Sequence, residues 1–442
     1  MLLLTLLVLP LLSAALLHRH HGSHDHAHVE SKRLPSAWYH RADHPVHELF
    51  KRGDATDGVE YASIGSPTWS SPYPSAAPDV NALPAAWVNA LKAAVSRGAI
   101  PDTPVSTNLP NETPTYPAGH DPNGPEVCSA SYQCRIPGDI WDAPDGHLGI
   151  SFDDGPQPAS DALLSFLKSN NQAVTHFMIG SNIIDYPNEF QTAFNQGNDI
   201  AVHTWTHPYM TTQSNLQVVG ELGWTMQLIH NSTGGRVPKF WRPPYGDSDT
   251  RVSAIAKEVF GLTTIIWNQD TSDWSLTTGG TTQQAIKSSM QQWLTGPKSP
   301  GLIILEHELS DLSVGSFIAA YPVMKANNWT TVSLAQLVGD STAYRNADGA
   351  GPVTNDDILA GNVSVVPASS SVAAASAGVP GSSTKQVAAK ATGSVSAARA
   401  SASASASTSS TPNAKNSASA NWRMGPTALI GAVVSLTFML WA

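Results

Sequence analysis

Two adjacent carboxylates, Asp153 and Asp154, stand between an apolar run, Ile150-Ser151-Phe152, and a Gly155-Pro156 stop. The run reads as a short strand. Successive side chains on a strand point to opposite faces, so the two acids serve one site only if the backbone turns between them. Like charges so close are costly unless one meets a cation and the other a proton donor. The pair suits one metal ligand beside one general base, or an ordinary Asp-Asp-Gly turn. His203 and His207 stand four apart, share a face on a helix or strand, and can converge on one ion. Pro208 argues against a helix continuing there. Such a pair also fits a packed core. With Asp154 at the same end of a sheet, however, two His and one Asp leave a coordination position for water, as in catalytic zinc sites. Arg242, ahead of Pro243-Pro244, is either a surface ion-pair partner or the group that fixes and charges a buried Asp. His307 suits a proton donor, with a core histidine as the alternative. Tyr245 and Trp274 are packing residues or sugar-stacking walls.

The elements that must position these groups lie between residues 147 and about 339, where apolar runs alternate with amphipathic stretches, the sign of parallel α/β architecture. Strands are predicted at 148–152, 173–179, 200–204, 240–242, 263–267, 302–305 and 330–332. Helices are predicted at 160–169, 216–230, 250–259, 282–294 and 314–326. Seven repeats in this length suit a barrel better than an open sheet, although periodicity alone does not separate them. In parallel α/β folds the active site gathers at the carboxyl ends of the strands. Five polar clusters fall there, where chance would scatter them between both ends.

Outside this region the 442-residue chain reads as processing and tether segments. Residues 1–15 resemble a signal peptide. Residues 16–52 hold six clustered histidines and two dibasic pairs, the pattern of a removable pro-segment. Residues 53–146 form a Pro/Ser-rich extension with one helix, 84–97, expected to pack on the main domain as a lid or brace. Residues 341–420 are dominated by Ser and Ala, too poor in large apolar groups for a core, and are expected to be a disordered stalk. Residues 421–442 end in an apolar tail that fits a glycosylphosphatidylinositol signal, with attachment at Asn416 or Ser417. A plain C-terminal membrane anchor is the alternative, for which the tail is short. Sequons stand at Asn111, Asn231, Asn328 and Asn362, and the two cysteines, Cys128 and Cys134, are expected to close one local disulfide. The net charge of −10 argues against nucleic acid as a partner.

The runs FDDGP, HTWTH, RPPYG, DTSDW and LEH, in that order, resemble the motif set of the polysaccharide deacetylases of carbohydrate esterase family 4, over about residues 147–340. With the stalk and anchor signal, the chain is most similar to the fungal chitin deacetylases within that family. The resemblance implies a distorted (β/α) barrel of seven to eight strands, one divalent metal ion (zinc or cobalt), and a secreted, monomeric form held at the plasma membrane or wall. Chitin or its oligomers would be the substrate. The resemblance assigns Asp153 as general base, Asp154, His203 and His207 as metal ligands, and Arg242 as the partner of Asp153. His307 would be the general acid, oriented by Asp273. The Tyr245 backbone N–H would help bind the oxyanion, and Leu305 and Trp274 would line the acetyl pocket. Two other readings stay open: action on acetylxylan or peptidoglycan, and a stalked wall protein that binds glycan without catalysis.

Overall fold

The computed structural model describes residues 55–361 apart from 110–111, 340 and 349–350. The expected leader, His-rich segment, anchor tail, Asn111, Asn362, Asn416 and Ser417 lie outside the described residues, as does the stalk beyond 361.

Helices α1 (Pro67–Ser70) and α2 (Ala85–Ser96) lead into β1 (His147–Gly155). There follow α3 (Ser160–Ser169), β2 (Thr175–Met178), α4 (Gly180–Asp185), α5 (Pro187–Asn195) and β3 (Asp199–Val202). Next come α6 (Asn215–Ser232), β4 (Phe240–Trp241), α7 (Thr250–Phe260), β5 (Thr263–Thr264) and β6 (Gln269–Asp270). The series ends with α8 (Gln283–Thr295), β7 (Leu302–Leu305), α9 (Asp311–Ala326) and β8 (Thr330–Ser333).

All strand pairs are parallel, in the order β5-β4-β3-β2-β1-β7-β6, with β8 also paired to β1. The upper half of β1 pairs with β2 from Ser151 onward, and its lower half pairs with β8 through Ile150. Segment 140–143 meets the sheet at two places: Ile140 bridges Ile265, just after β5, and Ala143 bridges Gly301, just before β7. Leu148, Ile150 and Phe152 of β1 face outward, against Leu163 and Leu167 of α3 and Phe317 of α9. Phe177, Ala201, Ile265 and Ile303 fill the interior with Leu334. A Cβ at Gly149 would stand 2.5 Å from Leu334, so the interior is packed rather than hollow there.

Two features depart from the periodicity. The run 263–267 leaves the ladder after Thr264: β4 ends at Trp241, and the next two carbonyls, Ile265 and Ile266, accept from the Arg242 guanidinium at 3.3 Å each. The second is α4 and α5, where Pro187 opens a new helix and breaks the pattern that a longer helix would show.

The extension is a brace. Trp87 of α2 is buried against α6, where a Cβ on Gly223 would lie 2.6 Å from its ring, and Trp69 Nε1 donates to Ser232 Oγ at 2.9 Å. Cys128 and Cys134 are disulfide-bonded. Residues 341–361, which composition groups with the stalk, pack on the barrel: Tyr344, Ile358 and Leu359 are buried, and Arg345 donates to the Phe260 carbonyl at the end of α7.

Candidate active site

The turn that lets Asp153 and Asp154 act together is a bulge. On β1, Asp153 pairs with Phe177 and Gly155 with Met178, so Asp154 is the extra residue, in left-handed conformation at φ 67°. Thr204, His207, Tyr245 and Ser272 at neighbouring strand exits also have φ between 55° and 65°. Strained backbone gathers where chemistry is done and persists only when its surroundings hold it.

Asp154 Oδ1 lies 3.2 Å from His203 Nε2 and 3.0 Å from His207 Nε2. It is buried with no hydrogen-bond partner of proper geometry among the described residues. His203 Nδ1–H donates to the Arg242 carbonyl at 2.7 Å, and since a carbonyl only accepts, this tautomer leaves the Nε2 lone pair aimed at Asp154. Ligand atoms from the three residues fall within 4.8 Å of one another. An orphaned carboxylate oxygen and two imidazole nitrogens at such separations fit a tetrahedral divalent cation with bonds of about 2.0–2.2 Å. Burial alone would raise the Asp154 carboxyl, but His207 and His203 outweigh it and hold it well below the usual carboxylate range.

Asp153 is nearly sealed from solvent, and its Oδ1 accepts from Arg242 Nη1 at 2.6 Å. Its other oxygen, Oδ2, lies 3.9 Å from His203 Nε2, toward the three-ligand cluster. Arg242 is wholly buried, bonded also to Ser151 Oγ and stacked over Phe177 at 4.2 Å. Across the site, Asp273 accepts from His307 Nδ1–H at 2.6 Å and from the His307 backbone N–H at 2.9 Å. Burial pulls the His307 imidazole down, but Asp273, with help from Asp154 and Asp153, lifts it to about 10. His307 is therefore protonated at neutral pH, with Nε2–H free to donate.

Leu305 is buried at the end of β7 and Trp274 is half-buried directly after Asp273. The Tyr245 ring is partly exposed, meets His207 edge-on at 4.6 Å and stacks on Tyr209 at 4.0 Å. Asn328 is exposed, whereas Asn231 Nδ2 already donates to Tyr73 Oη at 2.9 Å, a bond that a glycan there would break.

Sequence reasoning missed the supports. Glu221, buried on α6, accepts from the backbone N–H groups of Trp205 and Thr206 at 2.8 and 2.7 Å and from Thr206 Oγ1, and so fixes the turn between the two histidines. Its one signal is a lone acid within the apolar run Val218-Val219-Gly220-Glu221-Leu222. Asp247, pushed up to about 6 by burial, accepts from Thr211 of that same loop and from Ser131 of the extension.

The fold and the site together define a (β/α)-barrel enzyme with a cation cradle set between a carboxylate and an imidazole. A family model described as polysaccharide deacetylase matches residues 142–264. Chitin deacetylase 3 of Cryptococcus neoformans is 38% identical over 340 residues, covering 75% of this chain and 78% of that protein. Chitin deacetylase 1 of Saccharomyces cerevisiae is 34% identical over 245 residues, covering 55% and 77% respectively. The solved structure of the chitin deacetylase from Colletotrichum lindemuthianum aligns with a TM-score of 0.43 at 22% identity, covering 48% of this chain and 96% of that one. The chain belongs to the polysaccharide deacetylase family.

Proposed function

We propose that this chain hydrolyses the N-acetyl groups of N-acetylglucosamine units in chitin, releasing acetate and leaving free amines. The observation that carries the reading is the orphaned Asp154 Oδ1 between two Nε2 atoms, flanked by a carboxylate on one side and a protonated imidazole on the other. The relatives named above support chitin as the substrate.

Asp154, His203 and His207 would hold the cation, zinc or cobalt, which when bound supplies Lewis acidity and lowers the pKa of water from about 15.7 to about 7. Asp153, anchored through Oδ1 by Arg242, turns Oδ2 to the attacking water and takes its proton as the water oxygen bonds to the acetamide carbon. The Tyr245 backbone N–H would hold the oxyanion, and one such donor is typically worth about 10² to 10³ in rate. His307 then gives its Nε2 proton to the departing nitrogen, and the C–N bond breaks to acetate and amine. The sequence-level leader, stalk and tail support a secreted enzyme on a lipid anchor, which release by a phosphatidylinositol-specific phospholipase would test.

The deciding experiment is acetate release from chitin oligomers by the zinc- or cobalt-loaded full chain, with Asp153→Asn as control. Acetate from wild type alone is the expected result. Silence on chitin with activity on acetylxylan or peptidoglycan would move the substrate. Silence on every acetylated glycan, with cation bound, would leave a glycan-binding protein.

A further inference from the structure

We infer that Glu308 and His176, buried behind the site, position the acid His307 against the base Asp153. The inference rests on the deacetylase reading. Strand β7 ends at Leu305, so the segment that carries His307 runs beyond its ladder. Two backbone bonds tie it to β1: Asp153 N–H to the Glu306 carbonyl at 3.0 Å and Glu308 N–H to the Asp153 carbonyl at 3.2 Å. On the far side from Asp273, a further tether is the Glu308 side chain. Its Oε1 accepts from His176 Nδ1–H on β2 at 2.7 Å, and its Oε2 accepts from Ser160 Oγ at the start of α3 at 2.5 Å. Glu308 and His176 are both fully sealed from solvent.

Asp273 thus grips both the His307 ring and its backbone N–H, while Glu308 fixes the chain one residue later. The carboxylate fills the space beside Gly155, where a Cβ would stand 2.1 Å from Oε1, so the Asp-Asp-Gly bulge is shaped to receive it. Stability does not account for the arrangement. His176 Nε2 is buried without a hydrogen-bond partner among the described residues, and apolar groups of similar volume would commonly fill such a place at no loss. What apolar groups would not supply is a directional tether on the acid's segment. A displacement of about 1 Å can cost on the order of 10²-fold in rate.

The test measures kcat and KM for acetate release by the zinc-loaded full chain and its variants, with zinc content and Tm beside them. In Glu308→Gln the amide oxygen still accepts from His176 and the amide nitrogen faces Ser160 Oγ, so kcat should stay within roughly threefold of wild type, the tether being kept. The double variant His176→Phe with Glu308→Met keeps the volume and discards the tether. Its kcat should fall about 10- to 100-fold, with KM, zinc content and Tm near wild type. A double variant with wild-type kcat would overturn the inference, as would Glu308→Gln impaired as badly as the double. Should the double variant not fold, Ser160→Ala, which removes one of the two side-chain bonds, decides: kcat falls several-fold at unchanged KM, or the inference fails. Wild type that releases no acetate from any glycan would refute the deacetylase reading, and this inference with it. Active wild type with an equally active double variant would refute this inference alone.

Discussion

Replacing Asp273 by Asn removes the charge that favours a protonated His307. Asp273 accepts two bonds from His307, and the imidazole stands near 10 although its burial acts in the opposite direction. An opposite charge at this range moves a pKa by roughly 1–3 units. At about 1.4 kcal/mol per unit, the imidazolium loses on the order of 1.4–4 kcal/mol when that charge is removed. The folded value lies above the unfolded one, so the stability that the ion pair contributes is complete below about pH 6.5 and fades as pH rises toward 10. A bound dication repels the imidazolium, so the alkaline limb of the wild-type rate profile lies below 10.

In the variant the Asn oxygen can still accept from Nδ1–H, which keeps the ring bonded, while the amide nitrogen faces the His307 backbone N–H and that second bond is lost. The assay is kcat against pH for acetate release by the zinc-loaded chain. The alkaline limb should move down by about one to three units while the acidic limb stays, so that the variant is far more impaired at pH 8.5 than at pH 6. A uniform fall across the profile with an unmoved alkaline limb would refute the reasoning, because the limb would then belong to another group.

Three further outcomes follow from the geometry. Chelation should abolish acetate release and added zinc or cobalt restore it, while Asp154→Asn or His207→Ala should lose the cation itself; a variant that retains stoichiometric zinc by atomic absorption would remove that residue from the ligand set. Glu221→Ala strips two backbone N–H groups and a hydroxyl of their acceptor, and cation affinity should fall about 10- to 100-fold in a competition titration; unchanged affinity would make Glu221 irrelevant to the loop. Arg242→Ala leaves Asp153 charged, buried and unpaired, for a loss of about 3–5 kcal/mol in denaturant unfolding at pH 8. A loss below about 1 kcal/mol, the range of exposed pairs, would contradict the buried ion-pair account.

That Asp153, Asp154, His203, His207 and His307 would meet was legible because each sits where a strong local pattern ends: an apolar strand stops, and a polar residue of unusual type follows. The helix 160–169 was legible to the residue because its apolar spacing is uninterrupted. What was not legible depends on contacts across the sheet. The strand expected at 263–267 ends after Thr264, where its partner β4 stops at Trp241 and the guanidinium of the next residue, Arg242, takes the following carbonyls. β6 is only two residues long and has no period to read. Glu308 stood next to His307 in the sequence, but its partners are 132 and 148 residues away, and nothing local distinguishes it from an exposed neighbour.

The left-handed residues explain why the supports are so far-flung. Asp154, Thr204, His207, Tyr245 and Ser272 each need a backbone form that L side chains rarely adopt, at roughly 1–3 kcal/mol apiece. Glycine would relieve that strain at any of them, but glycine carries neither ligand nor hydroxyl. The side chains must therefore be kept, and the strain offset by bonds from elsewhere. The Thr204 hydroxyl accepts from His207 N–H at 3.0 Å, Glu221 holds the two residues between them, and Asp247 fastens the following loop to the extension. Ser272 N–H finds Asp270 at 2.7 Å. The extension lies almost wholly before the family match at 142–264, yet Ser131 and Tyr116 reach Asp247 and Asp249 in the loop that follows Tyr245. Segments with no catalytic group of their own thus belong to the site in the physical sense: without their bonds, the strained exits would relax toward ordinary backbone and the ligands would part.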